Sequence, residues 1–435
     1  MQANSISRHD ADMLEPKHIR YLVVHCSDTP DDDGVTAADI HAMHLGFGWD
    51  GAGYHAIITR DGMCHAGRPE YWQGAHVKGR NQDSLGVCLI GRHAFTSAQF
   101  AALETLLLDW QGRYPDAEVV GHRDIQDTSK TCPNFDAGQW WQNHNPLAGQ
   151  TALVMAACAP LYKTPPARDG LLPAPETEAL MGEVVEIQSP DQVSGYIEVR
   201  LKQDGYKGWM AVTCLCRTPD DINRQKRHKI TAAATFVTAA PDVKSAPLAS
   251  LSMGAIVKVE DEQNSYTKVS LNGRAGVQLA GYLPTHTLGE AVSDIKVPDT
   301  DWPVFGEKFL GMPYKWGGRS AAGLDCSALL QLSLSAAGFN VPRDSRPQHA
   351  FMKPAAKMPD ARFKNYQRGD ILFWEGHVGI CISKALLLHA NAYHANVAIE
   401  PIEQAITRIK SYFGAPTEHI DGAQLLQLLS RQPLS

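Results

Sequence analysis

The middle of the chain contains an internal repeat. The segment Leu180–Glu186 recurs as Ser252–Lys258, 72 residues further along. Each copy is followed by a strand pattern that alternates apolar and polar residues, and then by a glycine next to an aromatic residue. Between about residues 150 and 290 the apolar residues show no helical period, and Gly, Pro, Asp and Asn divide the segment into short strands. Repetition of a strand-only unit predicts two small β barrels in tandem.

The regions on either side of the repeat have different patterns. Strand segments alternate with helical segments on the N-terminal side, which predicts an α/β domain. On the C-terminal side helical segments come first and strands follow, which predicts an α+β domain. A chain of 435 residues is also too long for one compact core. The predicted domains are residues 1–148, 149–222, 223–297 and 298–435, with linkers expected in the proline-rich segments 160–175 and 298–303.

Charge and cysteine content exclude several classes of protein. The net charge of −7 gives no support for a nucleic-acid partner. The most apolar run, Ala152–Tyr162, is too short to span a bilayer, and the first 20 residues lack the apolar core of a secretory signal. The nine irregularly spaced cysteines suit a reducing compartment better than a disulfide framework. We therefore expect a cytoplasmic protein without a membrane span.

Two histidines and a cysteine form the first candidate site. His25 and His122 each lie at the end of an apolar strand segment, and Cys132 follows ten residues after His122. Two imidazoles and one thiolate leave one tetrahedral position open, which is the ligand count of a catalytic zinc site. Lys130 lies two residues before Cys132, so an extended segment directs both side chains to the same side. A cation there can stabilise an oxyanion.

Five short motifs surround these residues: His25-Cys26-Ser27-Asp28-Thr29, Gly53-Tyr54-His55, Gly74-Ala75-His76 with Asn81, Gly121-His122-Arg123-Asp124 and Lys130-Thr131-Cys132-Pro133. Together they resemble the motifs of the zinc N-acetylmuramoyl-L-alanine amidases. That family includes the phage-lysozyme-type amidases and the peptidoglycan recognition proteins. The resemblance covers residues 18 to about 141 and implies an α/β zinc amidase domain.

The resemblance also implies roles for individual residues. The zinc ligands would be His25, His122 and Cys132. Tyr54 and Lys130 would flank the reacting carbonyl. His76 would either contact the glycan or peptide of the substrate or have a purely structural role. His41 and His44, three residues apart on a predicted helix, are expected to be surface or core residues rather than a second metal pair.

A cysteine at a predicted helix start forms the second candidate site. A glycine-rich turn leads to Cys326, where a helical pattern begins. A thiol at a helix N-terminus is expected to favour the nucleophilic thiolate. His377 lies on a later strand and His389 on the next one, and adjacent antiparallel strands can bring the two side by side. His377 would then be the base and His389 the residue that orients it.

The segment from about 302 to 410 contains a second set of motifs: Tyr314, Trp316-Gly317-Gly318, Asp325-Cys326-Ser327, Pro342-Arg343-Asp344-Ser345, Gly369-Asp370, His377-Val378-Gly379 and His389-Ala390. These resemble the NlpC-type cysteine peptidases, and the two barrels resemble bacterial Src-homology-three-like (SH3-like) modules. The resemblance implies a papain-like α+β peptidase domain. Family members that carry two such barrels are γ-D-glutamyl-diamino-acid endopeptidases acting on stem peptides with a free N-terminal L-Ala.

Carried over to this chain, the resemblance implies a substrate-binding set. Its members in the peptidase domain would be Tyr314, Asp325, Ser327 and Ser345. Asp325 would pair with the ammonium of the substrate. From the first barrel, Glu178 and Tyr206 would close the pocket. The barrels could instead anchor the enzyme to intact cell wall, but closing the pocket is favoured because no signal peptide is evident.

The two sites together predict a bifunctional hydrolase that depends on zinc and acts on muropeptides or peptidoglycan fragments in cytoplasmic recycling. The first alternative is a wall-lytic enzyme of phage or secretion-system origin that attacks intact peptidoglycan. The second is a peptidoglycan-binding protein in which one or both sites are inactive. A third is a cysteine domain that transfers acyl groups instead of hydrolysing.

Overall fold

A computed structural model describes residues 13–32, 34–126, 129–147, 150–167, 171–189, 191–263, 265–273, 278–291, 301–357 and 365–431. The chain forms two compact units, the first centred on residues 1–149 and the second on most of residues 150–435. The predicted domain boundaries at 148–149 and 297–298 lie outside the described residues. The predicted boundary at 222–223 falls in a short helical turn, Ile222–Arg224. Within the described segments, no helix is long and apolar enough to cross a membrane.

The first unit is an α/β domain, as the sequence predicts. Its elements are β1 (Tyr21–Cys26), α1 (Ala37–Gly46), β2 (Ala56–Ile58), β3 (Cys64–Ala66), β4 (Ser84–Leu89), α2 (Ser97–Arg113), β5 (Glu118–Gly121), α3 (His122–Ile125) and α4 (Ala137–His144). The strands form one sheet in the order β3-β2-β4-β1-β5, and β1 is parallel to both β4 and β5. Since β1 and β5 run in the same direction, His25 and His122 emerge at the same edge of the sheet.

Both long helices of this unit begin at capping boxes. The backbone N–H of Thr36 donates to the Asp39 carboxylate at 2.8 Å, while the Thr36 hydroxyl accepts the N–H of Asp39. Thr96 and Gln99 form the same reciprocal pair at the start of α2. Each box satisfies two backbone N–H groups that have no partner within the helix. The Gln99 amide also donates to the Ile90 carbonyl at 2.8 Å, which ties α2 to the sheet.

The barrel region consists of short strands. The first barrel contains β6 (Thr151–Val154), β7 (Cys158–Leu161), β8 (Thr177–Leu180), β9 (Val184–Ile187), β10 (Tyr196–Leu201), β11 (Lys207–Ala211) and β12 (Leu215–Arg217). The second contains β13 (Arg227–Ile230), β14 (Ala234–Thr238), β15 (Pro247–Ser252), β16 (Ile256–Gln263), β17 (Tyr266–Asn272), β18 (Gln278–Pro284) and β19 (Leu288–Ala291). Their main sheets have the orders β11-β10-β9-β6-β12 and β15-β14-β18-β17-β16-β13-β19. The described part of this region contains no α-helix, which confirms the all-β prediction.

Both copies of the internal repeat form the same kind of turn. Gly182 lies between β8 and β9, and Gly254 lies between β15 and β16, with φ angles of +81° and +93°. Glycine adopts these left-handed angles without steric cost. The Ile256 N–H donates to the Met181 carbonyl at 2.8 Å, and a Cβ on Gly182 would lie 2.0 Å from the Ile256 carbonyl oxygen. At Gly182 the glycine therefore permits both the turn and the close approach of the two barrels.

The prediction of a linker over residues 160–175 is wrong for the first residues of this segment. Pro160 and Leu161 belong to β7, which pairs antiparallel with β8 and places Pro160 opposite Glu178. A proline can occupy a strand position where the ladder does not need its N–H. Residues 163–167 and 171–175 contain no helix or strand, as a linker would. The proline content therefore predicts the irregular part of this segment but not its extended beginning.

The C-terminal domain is α+β, as predicted. Its elements are α5 (Pro303–Glu307), β20 (Arg319–Ser320), β21 (Gly323–Leu324), α6 (Cys326–Ala336), α7 (Ser345–Met352), β22 (Ala356–Lys357), β23 (Ile371–Trp374), β24 (His377–Cys381), β25 (Leu386–Asn391), β26 (Asn396–Pro401), α8 (Ile402–Phe413), β27 (Glu418–Ile420) and α9 (Gly422–Leu429). The six-stranded sheet has the order β22-β27-β23-β24-β25-β26. Helix α6 is buried along nearly its whole length. The sequence prediction missed α8 and α9.

Buried ion pairs join the first barrel to the C-terminal domain within the second unit. Arg319 is fully buried, and its guanidinium lies 2.8 Å from the Glu183 carboxylate. The Glu178 carboxylate contacts the Lys315 ammonium and accepts the Arg319 backbone N–H at 2.8 Å. Loss of one partner would leave a buried charge unpaired, which costs about 3–5 kcal/mol. These pairs hold β8 against the turn that precedes α6.

Candidate active sites

The first candidate site lies at the carboxyl edge of the parallel strands in the first unit. His25 lies near the end of β1, His122 follows β5 directly, and Cys132 lies in the loop after α3. One potential ligand atom from each of the three residues lies within 4.8 Å of the others. The structure therefore brings together the three residues that the sequence predicts as zinc ligands.

The donor set fits a zinc ion. Burial lowers the pKa of His25 and that of His122, so both imidazoles are neutral near pH 7 and can offer a lone pair. The Cys132 sulfur accepts the backbone N–H of Cys26 at 3.3 Å. A hydrogen bond with the Cys26 thiol, followed by burial, raises the pKa of Cys132. Two neutral imidazoles and one sulfur are the ligand types of a catalytic zinc, and binding of the metal would displace the thiol proton.

His76 contacts a candidate ligand. Its Nδ1 lies 3.1 Å from Nε2 of His25, and the residue is only 9% exposed. The other ring nitrogen of His25, Nδ1, faces the Cys132 sulfur at 3.8 Å. If Nδ1 of His25 held the metal, the proton of His25 would lie on Nε2 and would be donated to His76. Of the two roles left open for His76, this position favours the structural one, in which it fixes the tautomer of His25.

Tyr54 and Lys130 lie beside the cluster. The ring centroids of Tyr54 and His25 are 5.1 Å apart, and burial raises the pKa of the Tyr54 hydroxyl, which therefore keeps its proton for donation. Lys130 is exposed. Burial is the main cause of the lowered pKa of both His25 and His122, and the positive charge of Lys130 is a further cause. The Lys130 ammonium therefore lies near both residues. Tyr54 therefore lies against one candidate ligand, and the charge of Lys130 acts on two of them.

His41 and His44 have structural contacts, in agreement with the sequence interpretation. His41 accepts the backbone N–H of Ala52 at 3.3 Å, and His44 accepts that of Gly53 at 2.9 Å. These hydrogen bonds attach α1 to the segment that carries Tyr54. Neither histidine belongs to a group of potential metal ligands within the described ranges.

The second candidate site centres on Cys326, the first residue of α6. Asp325 caps the helix, and its carboxylate accepts the Ala328 N–H at 2.8 Å. Burial, followed by the charge of Asp325, raises the pKa of the buried Cys326 thiol to about 12. The expected lowering of this pKa by the helix N-terminus is therefore outweighed, and in the resting site the proton stays on sulfur.

His377 and His389 are neighbours on the antiparallel strands β24 and β25. Nε2 of His377 lies 2.9 Å from Nδ1 of His389. The backbone N–H of Val378 is a hydrogen-bond partner of the Cys326 thiol, so β24 passes directly beside the sulfur. Burial lowers the pKa of His377 to about 3, which leaves it neutral and able to accept a proton. The three predicted residues thus lie in one buried site.

Asp325 is paired differently from the prediction. Both of its carboxylate oxygens contact the buried guanidinium of Arg343, and Oδ2 also accepts the Gly317 N–H at 3.1 Å. The Ser327 hydroxyl donates to Oδ1 at 3.0 Å and accepts from Arg343 at 2.9 Å. The predicted pairing of Asp325 with a substrate ammonium is therefore not supported, because the carboxylate already has an internal cation. Ser327 belongs to the same internal network.

The remaining predicted residues of the peptidase domain stay accessible. Tyr314 is half-buried. Burial, together with the charges of Cys326 and Asp325, raises the pKa of its hydroxyl, which therefore keeps its proton and lies near the nucleophile. Ser345 is half-buried at the first position of α7. Tyr314 is therefore partly open to solvent beside the nucleophile, and Ser345 is partly open to solvent at the start of α7.

Glu178 does not face the site. It is only 3% exposed, and its carboxylate is bound by Lys315 and the Arg319 N–H. The prediction that Glu178 closes the pocket is therefore corrected, because this acid holds the barrel to the peptidase domain. Tyr206, in contrast, is half-buried and has a different acid as its partner.

The acids that face Tyr206 are Asp344 and Glu176. The Tyr206 hydroxyl is a hydrogen-bond partner of Asp344, and after burial the charges of Asp344 and Glu176 raise its pKa. Burial, with the nearby charges of Asp325 and Glu176, raises the pKa of Asp344. Glu176 is exposed and Asp344 is half-buried. These two carboxylates and the phenol form an acidic group that is accessible to a cation.

A glycine permits the barrel to bring Glu176 to the peptidase domain. A Cβ on Gly317, where φ is +69°, would lie 2.2 Å from the Pro175 carbonyl oxygen. Neither Glu176 nor Asp344 was predicted from the sequence. Glu176 lies two residues before Glu178, so strand alternation cannot distinguish them. Asp344 lies between Arg343 and Ser345 in the peptidase motif, and this position could have identified it as a candidate site residue.

Three families match successive parts of the chain. Residues 15–135 match the N-acetylmuramoyl-L-alanine amidase family. Residues 171–215 match the bacterial dipeptidyl-peptidase SH3 domain, and residues 311–414 match the NlpC/P60 family. The order of the three matches agrees with the order of the predicted domains.

Individual relatives match each part. The endolysin of Klebsiella phage KP32 is 40% identical over 131 residues, which are 28% of this chain and 85% of that protein. The γ-D-glutamyl-L-lysine dipeptidyl-peptidase of Bacillus subtilis is 30% identical over 237 residues, which are 52% of this chain and 73% of that protein. A solved NlpC/P60 family structure from Bacillus cereus shares the fold with a TM-score of 0.51 at 21% identity, covering 62% of this chain and 99% of that one.

These matches confirm the predicted multidomain fold class and the predicted presence of two enzyme domains. The chain is therefore a peptidoglycan hydrolase that belongs to the N-acetylmuramoyl-L-alanine amidase family through its N-terminal domain and to the NlpC/P60 family through its C-terminal domain.

Proposed function

We propose that the protein removes the sugar from muropeptides and then shortens the released peptide. The first reaction is zinc-dependent hydrolysis of the amide between the muramoyl lactyl group and L-Ala. The second is cysteine-dependent cleavage of the γ-D-glutamyl–diamino-acid bond in peptides whose L-Ala amino group is free. The biological setting that we propose is recycling of muropeptides or peptidoglycan fragments in the cytoplasm.

In the amidase half, His25, His122 and Cys132 would hold zinc. The ion would polarise the lactyl carbonyl and lower the pKa of water. Tyr54 would donate its phenolic proton toward the carbonyl oxygen, and the Lys130 ammonium would stabilise the negative charge that develops there. Hydrolysis adds water across the amide bond and releases the L-Ala nitrogen as an amine.

In the peptidase half, the Cys326 thiol would give its proton to neutral His377 and attack the γ-carbonyl of D-Glu. His377 would then protonate the amino group of the departing diamino acid, which leaves a thioester on Cys326. Water would hydrolyse the thioester and restore the thiol. The low pKa of His377, about 3, and the high pKa of the thiol, about 12, fit a neutral resting pair that separates charge only during the reaction.

The observation that supports an ordered pair of reactions is the acidic group formed by Glu176, Asp344 and Tyr206. In the intact muropeptide the L-Ala nitrogen is an amide and carries no charge. After the amidase reaction it becomes an ammonium, which can pair with the two carboxylates. The product of the first site is thereby the preferred substrate of the second.

A second candidate function is lysis of intact cell wall, and the phage endolysin relative favours it. The two functions differ in substrate, because a lytic enzyme must act on insoluble sacculi. We therefore propose to digest sacculi and a soluble, defined muropeptide in parallel, with the enzyme alone, with a chelator and with a thiol alkylator. Mass spectrometry should show loss of sugar release with chelator and loss of γ-D-glutamyl cleavage with alkylator. Faster turnover of sacculi than of the soluble muropeptide would reject recycling.

A further inference from the structure

His389 has a second partner on the side away from His377. Its Nε2 lies 2.7 Å from Oε1 of Glu400, and His389 is fully buried. Glu400 lies on β26, next to β25 in the sheet. The residue is only 9% exposed, and its carboxylate also contacts the Arg408 guanidinium of α8. A chain of contacts therefore extends from His377 through His389 to a buried carboxylate.

Burial lowers the pKa of both histidines, and with both rings neutral and Glu400 ionised only one arrangement of protons satisfies this chain. A carboxylate can only accept, so His389 must carry its proton on Nε2. Its Nδ1 is then a lone pair that accepts from Nε2 of His377, 2.9 Å away. With its proton on Nε2, His377 has a lone pair on Nδ1. Nδ1 of His377, which would take the proton of Cys326, is therefore the nitrogen that carries the lone pair.

We propose that Glu400 is a positioning residue of the peptidase, which selects through His389 the tautomer of His377 that can act as a base. This inference rests on the proposed roles of Cys326 and His377. Glu400 touches neither substrate nor nucleophile in this scheme. Its negative charge would also stabilise His377 when it becomes an imidazolium during the reaction.

Several charged groups surround the histidine pair. His389 is approached by Glu400, Arg408 and His394, and His377 by His389, Arg408 and Glu400. Burial is the main cause of the lowered pKa of both histidines, and Glu400 opposes it while Arg408 enhances it. The carboxylate is the only group of this set that favours a proton on either ring. Removal of its charge should therefore make proton transfer from Cys326 harder.

A metal site or a simple structural ion pair would be alternative roles for Glu400. Ligand atoms of His389, His394 and Glu400 lie within 4.8 Å of one another. However, the guanidinium of Arg408 already contacts the same Glu400 oxygen as His389, and this cation opposes a second one. A purely structural pair with Arg408 would not require the hydrogen bond to His389. A positioning role and a purely structural role of Glu400 therefore predict different reactivities of the Cys326 thiol when Glu400 is replaced.

The test compares Glu400→Gln and Glu400→Met with Glu403→Gln, an exposed acid two positions into α8. Glutamine can offer its amide nitrogen to His389 and so permits the wrong tautomer, while methionine offers no acceptor. We expect kcat of the peptidase to fall about 10- to 100-fold in Glu400→Gln and further in Glu400→Met, with KM nearly unchanged. Glu403→Gln should match the wild type. Amidase turnover of each protein gives the internal standard for the amount of enzyme.

The reactivity of Cys326 distinguishes a positioning role of Glu400 from a purely structural one. The rate of alkylation by iodoacetamide, followed against pH at the Cys326 peptide by mass spectrometry, should shift to higher pH in Glu400→Gln. A smaller amount of active enzyme lowers turnover but does not move the pH profile of the folded molecules. An unchanged alkylation profile together with an unchanged kcat would overturn the inference, as would a lower kcat with an unchanged profile. Cys326→Ala is the separate test of the proposed function: an active Cys326→Ala protein would reject the nucleophile itself, whatever Glu400 does.

Discussion

Asp325 and Arg343 form a buried bidentate ion pair, with the two guanidinium nitrogens 2.9 and 2.7 Å from the two carboxylate oxygens. The side chain of Arg343 is fully buried and that of Asp325 nearly so. Asp325 therefore already has a cation, and a substrate ammonium would gain little by approaching it. In the proposed scheme the free amine of the substrate would therefore be bound by Glu176 and Asp344 instead.

Neutralising either accessible acid should weaken binding of peptides with a free amine. We expect Glu176→Gln and Asp344→Asn to raise KM for the tripeptide L-Ala-γ-D-Glu-diamino acid about 10- to 100-fold, because each removes a charge-assisted hydrogen bond. Release of sugar by the amidase should not change. Steady-state kinetics on the free tripeptide measures the effect.

Glu178→Gln is the matched control, since it neutralises an acid two residues from Glu176. Its carboxylate is bound by Lys315, so the expected effect is a lower unfolding temperature rather than a selective rise in KM. If Glu178→Gln alone raised KM, Glu178 and not Glu176 would be the acid that meets the substrate.

Zinc dependence should be confined to the amidase. We expect His25→Ala or Cys132→Ala to abolish release of sugar from a muropeptide and to remove stoichiometric zinc, because each deletes one of three proposed ligands. Peptidase turnover should persist in both variants. Cys64→Ala, which removes an exposed cysteine of the same domain, should retain zinc and activity. Amidase turnover in fully metal-free protein would contradict the assignment.

Cys326 should be required only for the peptidase. We expect Cys326→Ala to stop cleavage after γ-D-Glu, while metal content and amidase turnover equal those of the wild type. Mass spectrometry of the products from a single digest reports both reactions. An unaltered peptidase rate in this variant would exclude Cys326 as the nucleophile.

His55 should make the amidase domain sensitive to acid. Its ring accepts the Gly86 N–H and faces the Trp72 carbonyl, both at 2.9 Å, an arrangement that suits the neutral imidazole. Burial lowers its pKa to about 4, below the ordinary value of 6.5. The stabilisation is therefore complete above pH 6.5 and is lost as the pH falls toward 4, by up to about 3 kcal/mol.

Hydrogen exchange of the β4 amides can measure this loss. We expect the metal-free wild type to lose protection between pH 6.5 and 4 more steeply than His55→Gln, which can donate and accept but does not titrate in this range. Comparison at equal pH cancels the intrinsic pH dependence of exchange. Equal slopes for the two proteins would show that His55 does not titrate on unfolding.

The cluster of candidate zinc ligands could be anticipated from the sequence because each ligand stands in a recognisable short motif. His25 lies near the end of β1 and His122 directly follows β5, which runs in the same direction, so both residues lie at one edge of the sheet. The paired histidines of β24 and β25 could be anticipated for a similar reason, since neighbouring strands bring them together. In both cases the strand segments marked candidate residues, and the resemblance of the surrounding motifs to known families selected these residues as sites.

The errors concern partners that are distant in sequence. Glu176 and Glu178 are two residues apart, so an extended segment directs both side chains to the same side. Which acid is buried is determined by contacts with Lys315 and Arg319, which lie far along the chain. The pairing of Asp325 with Arg343 also depends on tertiary contacts. The raised pKa of Cys326 reflects burial, which a helix pattern does not quantify. Helices α8 and α9 were missed although Ile402, Ala405, Ile406 and Ile409 have helical spacing on α8.

The proposed scheme requires the amidase to act before the peptidase, and the Cys132→Ala protein separates the two reactions. This variant should be offered a sugar-linked tripeptide and the free tripeptide L-Ala-γ-D-Glu-diamino acid, with cleavage followed by mass spectrometry. We predict normal cleavage of the free tripeptide and no cleavage of the sugar-linked one, since only the free peptide carries an ammonium for Glu176 and Asp344. Comparable rates on both substrates would show that the free amine is not required and would contradict the ordered scheme.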